Sequence, residues 1–294
     1  LLVVFVLSPA EPQVSRYKSP KIYQDNNYLP ATATEGLYSE DIFADYVKQF
    51  IQDNKQHPFF IYYSMILSHK AFSPTPNDPE YAAWNADPNN SDAAFYPSMI
   101  SYMDKKIGEV VQKLENLGLL SNTVIIYAGD NGVQKEITSL FNDTPIQGGK
   151  GSTIEYGTHV PLIIQWPAKI APGSVNNQLI DFPDFMPTLA KMAGTTVPAS
   201  FGITDGVDFY SQLTGNISKA RSWSFCHFQP MLNESGRLIR WVQNTQYKLY
   251  ADSSFYNINS DIYETTPLKK STLTNNEKKL RKQFTDVLAT LPNQ

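Results

Sequence analysis

The sequence predicts an α/β protein with a mostly parallel central sheet flanked by helices, followed by a small C-terminal subdomain of antiparallel strands and one helix. Up to about residue 215, apolar runs of strand length alternate with stretches of helical periodicity, as in consecutive strand-helix-strand units. Beyond that point the apolar runs shorten and polar turns separate them, which is typical of an antiparallel meander. The 294 residues, 41% of them hydrophobic, suffice for a large core.

The chain begins with an apolar segment. Residues 1–7 are apolar and are followed by Ser-Pro-Ala, but no Met or basic segment precedes them. We interpret residues 1–14 either as the remnant of a signal-peptide core or as a strand. The stretch up to residue 38 is rich in Pro, Tyr, Asn and Ser, and this composition predicts an irregular surface connection.

An α/β domain is predicted over residues 15–215. Its predicted elements are a helix that opens at Ser39, a central strand over 58–66, a helix over 93–117, a strand that begins at Thr123, a strand over 160–166 and a helix over 183–193. The C-terminal subdomain is predicted over residues 216–294. Its short strands cover 222–228, 238–242, 247–250 and 255–258, and an amphipathic helix containing Phe284 follows them.

Composition excludes several classes of partner. The 24 basic and 28 acidic residues give a formal net charge of -4, with no long basic run. The sequence therefore gives no indication of binding to nucleic acid or to an anionic membrane surface. No apolar run reaches the length of a membrane-spanning helix. The single cysteine, Cys226, excludes a disulfide within the chain.

Polar residues follow the strand that begins at Thr123. Asp130 and Asn131 supply adjacent oxygen donors, which Ca²⁺ or Mg²⁺ prefers, and Gly132 allows a tight turn around them. Lys150 lies among three glycines, where the backbone can approach an anion and the ammonium can contact it. Because open α/β sheets bind ligands at the carboxyl ends of their strands, this edge is the candidate site.

Each of these features also has a simpler interpretation. Asp-Asn-Gly on its own is more typical of a turn, and a glycine-flanked lysine is usually part of a solvated loop. A nucleotide-binding phosphate loop is excluded. It needs Ser or Thr directly after the lysine and a second glycine five positions before the glycine that precedes the lysine, Gly149. Here the corresponding residues are Gly151 and Thr144.

His69 occupies a position similar to that of Asp130. It follows the predicted central strand over 58–66 and precedes a loop rich in proline. A lone histidine is usually a structural residue with satisfied hydrogen bonds. We nevertheless expect the ends of the two core strands to bring His69, Asp130, Asn131 and Lys150 around one pocket that holds an oxyanion beside a cation.

Three segments together resemble the sulfatase family, a branch of the alkaline-phosphatase-like superfamily. They are Asp130-Asn131-Gly132, the run Gly-Gly-Lys-Gly-Ser-Thr that contains Lys150, and the run Gly-Thr-His-Val-Pro that begins at Gly157. The resemblance covers most of the chain, from about residue 15 to residue 263. It implies a sulfuric ester hydrolase that cleaves a sulfate monoester with a divalent cation, Ca²⁺, and it implies a C-terminal subdomain of antiparallel strands and a helix.

The resemblance also implies roles for single residues. Asp130 and Asn131 would be metal ligands, Lys150 would bind sulfate oxygens and the leaving oxygen, and His69 would contact the ester and help to protonate the alcohol. The family usually has Pro two residues after this histidine, whereas this sequence has Ala71. The expected partner is a sulfated small molecule or carbohydrate, and the expected location is secreted or periplasmic.

Sulfatases use a formylglycine nucleophile made from a Cys or Ser in a Cys/Ser-x-Pro/Ala-x-Arg motif. The sequence contains no such motif, nor the Asp-Asp metal pair and the Gly-Lys-x-His segment of the family. We therefore expect the chain to correspond to the C-terminal two thirds of a sulfatase, and by itself neither to hydrolyse an aryl sulfate nor to bind Ca²⁺ tightly. Two alternatives stay open: a phosphodiesterase or phosphonate hydrolase of the same superfamily, and a non-catalytic sulfatase-like binding protein.

Overall fold

The computed structural model describes residues 16–87, 89–202, 204–217, 220–229 and 238–291. The apolar segment over residues 1–14 lies outside this part of the chain. The α-helices are α1 (Ser39–Asn54), α2 (Tyr96–Asn116), α3 (Glu155–Thr158), α4 (Phe185–Met192) and α5 (Asn275–Thr290). The strands are β1 (Tyr23–Gln24), β2 (Asn27–Tyr28), β3 (Ile125–Ala128), β4 (Thr138–Phe141), β5 (Thr144–Gln147), β6 (Leu162–Gln165), β7 (Ser224–Phe228), β8 (Ile239–Gln243), β9 (Tyr247–Tyr250) and β10 (Phe255–Asn257).

The chain forms two compact units. The first contains the residues up to Ile125 together with Glu136–Ile146, and the second contains Ile126–Lys135 and the residues from Gln147 onward. Among the helices of the described residues, none combines the length and the apolar character that a membrane-spanning segment requires.

Helices α1 and α2 build a core of the first unit. Both helices were predicted, and both present an apolar face: Val47 and Ile51 of α1 pack with Leu114 of α2. Helix α1 carries Glu40 and Asp41 in its first turn, where negative charge is favourable to the helix dipole. The two helical predictions in this unit are therefore confirmed, with small shifts at their ends.

The strand predicted over residues 58–66 is wrong, because this segment forms no strand and pairs with no other strand. A central strand would be buried on both faces. Here Phe59, Ile61 and Tyr63 pack against the core of α1 and α2, whereas Phe60 and Tyr62 are 53% and 62% exposed. The segment is thus buried on one side only, and the continuous apolar run concealed this alternation.

The central sheet is smaller than predicted. Strand β3 follows the predicted position closely and pairs with β6, and no third strand joins this pair within the described residues. The structure therefore does not confirm a parallel central sheet. Strand β3 is also half-buried rather than fully buried. In the first unit, β4 and β5 form an unpredicted two-stranded sheet, joined by Asn142 and Asp143, which both have positive φ, as tight hairpin turns require.

The C-terminal part of the second unit confirms the predicted meander and helix. Strands β7 to β10 form a four-stranded sheet in the order β10-β9-β8-β7, and each neighbouring pair is antiparallel. Helix α5 packs against this sheet through Phe284, which is buried with Val242, Leu249 and Phe255. A capping box formed by Thr274 and Glu277 fixes the start of α5.

Candidate functional site

The loop after β3 presents the two predicted metal ligands to solvent. Asp130 and Asn131 are both exposed, and the side-chain amide of Asn131 donates a hydrogen bond to Asp130 Oδ2 at 2.5 Å. This bond uses the amide nitrogen, so the Asn131 carbonyl oxygen points to the other side of the amide group. The pair therefore presents oxygen atoms of two kinds, carboxylate and amide, at the end of a strand.

A group of glycines packs the Asp130 loop against the loop that carries Lys150. A Cβ on Gly132 would stand 1.9 Å from the Tyr156 carbonyl oxygen, and one on Gly148 would stand 2.2 Å from the Gln134 carbonyl oxygen. A Cβ on Gly149 would lie 2.6 Å from the backbone nitrogen of Gly157. Backbone therefore lies directly on backbone, which only glycine permits.

Main-chain hydrogen bonds fix the backbone of Lys150 against the loop that follows β3. Its backbone N–H donates to the Val133 carbonyl oxygen at 2.9 Å, and the next residues form a turn in which the Ser152 N–H donates to the Gly149 carbonyl at 2.9 Å. The structure thus packs the backbone of the loop of Asp130 and Asn131 against the loop of Lys150. Of the glycines around Lys150, Gly148 and Gly149 take part in this backbone packing.

The short helix α3 follows the Lys150 loop, and its first residue, Glu155, contacts His159, the residue just after the helix. His159 Nδ1 lies 3.4 Å from a carboxylate oxygen of Glu155, and Gln243 of β8 donates to Glu155 Oε1 at 3.1 Å. Burial acts to raise the pKa of Glu155, but hydrogen bonds from these two side chains and the positive charge of Lys248 hold it below its usual value. Glu155 is therefore a carboxylate anchored to the C-terminal sheet.

His69 belongs to the first unit and is contacted there by an arginine. His69 is exposed, and Arg16 Nη1 lies 2.5 Å from its Nδ1. The same guanidinium nitrogen donates to the Lys70 carbonyl oxygen at 3.0 Å. Tyr17 donates its hydroxyl hydrogen bonds to the carbonyls of Ile66 and His69. The chain on either side of the imidazole is thus fixed by Arg16 and Tyr17.

Sequence reasoning missed Arg16, because 53 residues separate it from His69 and no local pattern connects them. It also missed Glu40 at the start of α1. Glu40 is fully buried and accepts hydrogen bonds from Tyr63 Oη at 2.6 Å and from the backbone N–H of Ile66 at 2.9 Å. The segment that leads to His69 is therefore attached to α1 through a carboxylate.

The available donors fit a hard divalent cation in kind but are few in number. Carboxylate and amide oxygens are suitable ligands, yet Ca²⁺ takes six to eight of them, and Asp130 and Asn131 supply two adjoining residues. Within the described part of the chain, no group of three or more His, Cys, Asp or Glu side chains is arranged to hold a metal ion.

Comparison with known proteins identifies relatives over most of the chain. A family model described as Sulfatase matches residues 11–195, and one described as N-sulphoglucosamine sulphohydrolase, C-terminal, matches residues 150–294. A sulfatase of Formosa agariphila is 32% identical over 255 residues, with 78% of this chain and 45% of the relative covered. Human arylsulfatase A is 29% identical over 215 residues, with 72% and 38% covered. The chain thus spans less than half the length of these curated relatives.

Solved structures show the same fold. Ps i-CgsB superposes with a TM-score of 0.71 at 23% identity, covering 92% of this chain and 57% of that one, and it has also been solved in complex with k-i-k-neocarrahexaose. BT4656, solved in complex with its substrate D-glucosamine-2-N,6-O-disulfate, gives a TM-score of 0.70 at 18% identity, covering 97% and 75%. The fold is that of sulfatases, and the phosphodiesterase alternative is not favoured. With the first family model matching well over half of the sequence, the chain belongs to the sulfatase family.

Proposed function

We propose that this chain takes part in the hydrolysis of a sulfate monoester and supplies the binding and proton-transfer groups of the reaction. The observation that carries this proposal is the backbone packing that joins the loop of Asp130 and Asn131 to the loop of Lys150. In a member of the sulfatase family, this packing supports a role for the two loops in holding a cation and an oxyanion side by side.

Lys150 and His69 would each meet one chemical requirement of the reaction. Sulfate ester cleavage requires positive charge close to the negatively charged nonbridging oxygens and a proton for the leaving oxygen. Lys150 would supply the charge through its ammonium group, which is attached to a backbone pinned at Val133. His69 would supply the proton, with its ring contacted by Arg16. These assignments agree with the roles that the family resemblance implies.

Asp130 and Asn131 would hold the metal ion, which we propose to be Ca²⁺ because both donors are oxygen atoms. When bound, the ion supplies further positive charge to the sulfate. Neither side chain is buried, so the ligands are accessible from solvent. The exposed position also explains why the Asn131 amide bonds to its neighbour rather than to the protein core.

The substrate that we propose is a sulfated carbohydrate. Two structures with this fold were solved with bound carbohydrates: Ps i-CgsB with a neocarrahexaose, and BT4656 with a glucosamine disulfate. Such substrates are polar and anionic, which suits a site in which His69, Asp130 and Asn131 are exposed and Lys150 is half-buried. A secreted or periplasmic location would give access to extracellular polysaccharides and is part of the same proposal.

The test uses the chain extended at its N-terminus by a nucleophile segment, taken either from its own upstream reading frame or from the Formosa agariphila relative. We expect the extended protein to hydrolyse a chromogenic sulfate and sulfated oligosaccharides, and the 294-residue chain alone to show no turnover. Lys150→Met should lower kcat/KM by about 10² to 10³-fold, as for the loss of an oxyanion-stabilising group.

Lys135→Met is the matched control, because Lys135 is an exposed lysine of the same unit. Its kcat/KM should equal that of the unmodified protein. Turnover of phosphodiesters with no turnover of any sulfate ester would contradict the proposal and support the phosphodiesterase alternative. Equal activity of the Lys150 and Lys135 variants would contradict the role of Lys150.

A further inference from the structure

A lysine is completely buried in the C-terminal sheet. Lys248 of β9 has an exposed side-chain fraction of 0%, and its ammonium donates to Glu264 Oε1 at 2.9 Å. The Glu264 side chain is itself only 4% exposed. A buried ion pair of this kind contributes little to stability compared with apolar side chains of similar size. Its presence therefore calls for an explanation other than core stability.

The buried ammonium also binds the main chain of another segment. Lys248 Nζ donates to the Thr153 carbonyl oxygen, which lies in the loop just after Lys150. Tyr250 is two residues further along β9, on the same face of the strand. Its hydroxyl donates to Glu264 Oε2 and lies 3.0 Å from Thr153 Oγ1. The cluster therefore contacts both the carbonyl oxygen and the hydroxyl oxygen of Thr153.

A second connection runs from the neighbouring strand to the same loop. Trp241 of β8 is paired with Tyr250 across the sheet, and its indole N–H donates to Gln243 Oε1 at 2.7 Å. Gln243 in turn donates to Glu155 Oε1 at 3.1 Å. The sheet thus contacts the loop at two residues, Thr153 and Glu155, which flank the start of α3.

Glu264, which accepts the hydrogen bond from Lys248, has an uncommon backbone conformation. Its φ is +53°, a conformation that non-glycine residues seldom adopt. A turn built on Asp261 stabilises it, with the carboxylate of Asp261 accepting from the N–H of Thr265 at 3.0 Å and from that of Thr266 at 2.7 Å. The turn directs the Glu264 carboxylate toward the buried ammonium.

We propose that Lys248, Tyr250 and Glu264 are positioning residues that hold the loop 150–155, and thereby set where Lys150 presents its ammonium to the substrate. This inference rests on the proposed function for the role of Lys150, but the loop contacts are independent of it. Thr153 is three residues from Lys150, and the turn between Gly149 and Ser152 transmits its position. The C-terminal subdomain then contributes to catalysis without touching the substrate.

The first experiment measures amide hydrogen exchange by mass spectrometry in the 294-residue chain. Lys248→Met would leave the buried Glu264 carboxylate without its ammonium partner and risks unfolding the chain, so the milder variant Tyr250→Phe carries the test. The matched control is Tyr247→Phe, which removes a hydroxyl from the same strand. The Tyr247 hydroxyl donates to Glu277 of α5 at 3.1 Å and does not contact the Lys150 loop.

We expect Tyr250→Phe to accelerate exchange in peptides covering residues 149–157 by about three- to tenfold, the effect of losing one hydrogen bond that closes the loop. Tyr247→Phe should leave these peptides unchanged. No acceleration in Tyr250→Phe, or equal acceleration in both variants, would overturn the proposal. This readout needs no sulfatase activity, so its failure is distinct from failure of the proposed function.

The second experiment connects the loop to Lys150 itself. Competitive labelling of amines with acetic anhydride should change the labelling rate of Lys150 in Tyr250→Phe but not in Tyr247→Phe, with Lys135 as the internal reference. In the extended, active protein, Tyr250→Phe should lower kcat more than it raises KM for a chromogenic sulfate. An unchanged Lys150 labelling rate, or a kcat equal to that of Tyr247→Phe, would overturn the positioning role.

Discussion

Gly132 and Tyr156 lie in direct backbone contact: a Cβ on Gly132 would stand 1.9 Å from the Tyr156 carbonyl oxygen. The Gly132 N–H also donates to the carbonyl of the next residue, Gly157, at 3.1 Å. Because real Cβ atoms do not approach backbone oxygens so closely, any side chain at position 132 must push the two loops apart. The close approach of the Asp130 loop to the Lys150 loop therefore requires glycine, which has no Cβ, at position 132.

Gly132→Ala should therefore destabilise the protein by about 3 kcal/mol, at the upper end of the cost of overpacking, because rigid backbone has to move. Urea unfolding followed by circular dichroism measures the change. Gly108→Ala is the control: Gly108 lies inside α2, and no atom lies within 4 Å of its added Cβ. This variant should gain about 0.5–1 kcal/mol from helix propensity. Equal stability of the two variants would contradict the packing argument.

The sequence predicted the C-terminal sheet, the helices α1 and α2, and the position of Asp130 after a strand, because each depends on local periodicity. It did not predict one-sided burial of residues 58–66, since a run of consecutive apolar residues gives no alternation to detect. Contacts such as Arg16 with His69 join residues far apart in the chain. Only the tertiary structure defines them, and the same holds for the cluster around Lys248.

Glu40 should make the stability of the protein depend on pH. Burial raises the pKa of this carboxyl, although hydrogen bonds from Tyr63 and from the backbone of Ile66 and Leu67 oppose the effect. The folded protein then binds this proton more tightly than the unfolded chain does. The contribution to the free energy of unfolding is complete below the ordinary pKa of 4.5. It is lost as the pH rises from there through the raised pKa.

Glu40→Gln removes this titration while keeping a carbonyl acceptor for the backbone N–H groups. We expect the stability of the wild type relative to Glu40→Gln to decrease as the pH rises above 4.5, measured by urea unfolding at each pH. Glu35→Gln, at an exposed glutamate of the same unit, should show no such trend. A constant difference between wild type and Glu40→Gln would disprove the assignment.

Arg16 should determine the environment of the His69 ring. The chain contains four histidines, so nuclear magnetic resonance of protein labelled with ¹⁵N-histidine resolves each imidazole. Arg16→Met removes the guanidinium nitrogen that lies 2.5 Å from His69 Nδ1, and we expect the Nδ1 resonance of this histidine alone to move. The control Lys18→Met changes a residue whose ammonium donates to the carbonyls of Tyr81 and Ala82. If both variants give the wild-type spectrum, Arg16 does not act on His69.

Calcium binding by the 294-residue chain should be weak and should depend on Asp130. With oxygen donors from two residues, water completes most of the ligand shell, and we expect a Kd of about 1 mM or higher, as in the weakest protein calcium sites. At 1 mM Ca²⁺ the ion would then stabilise the fold by no more than about 0.4 kcal/mol, so chelation should leave the Tm almost unchanged. Isothermal titration calorimetry should show binding lost in Asp130→Asn and retained in Asp143→Asn, which alters another exposed aspartate. Micromolar affinity, or equal affinity in the two variants, would show that other groups bind the ion.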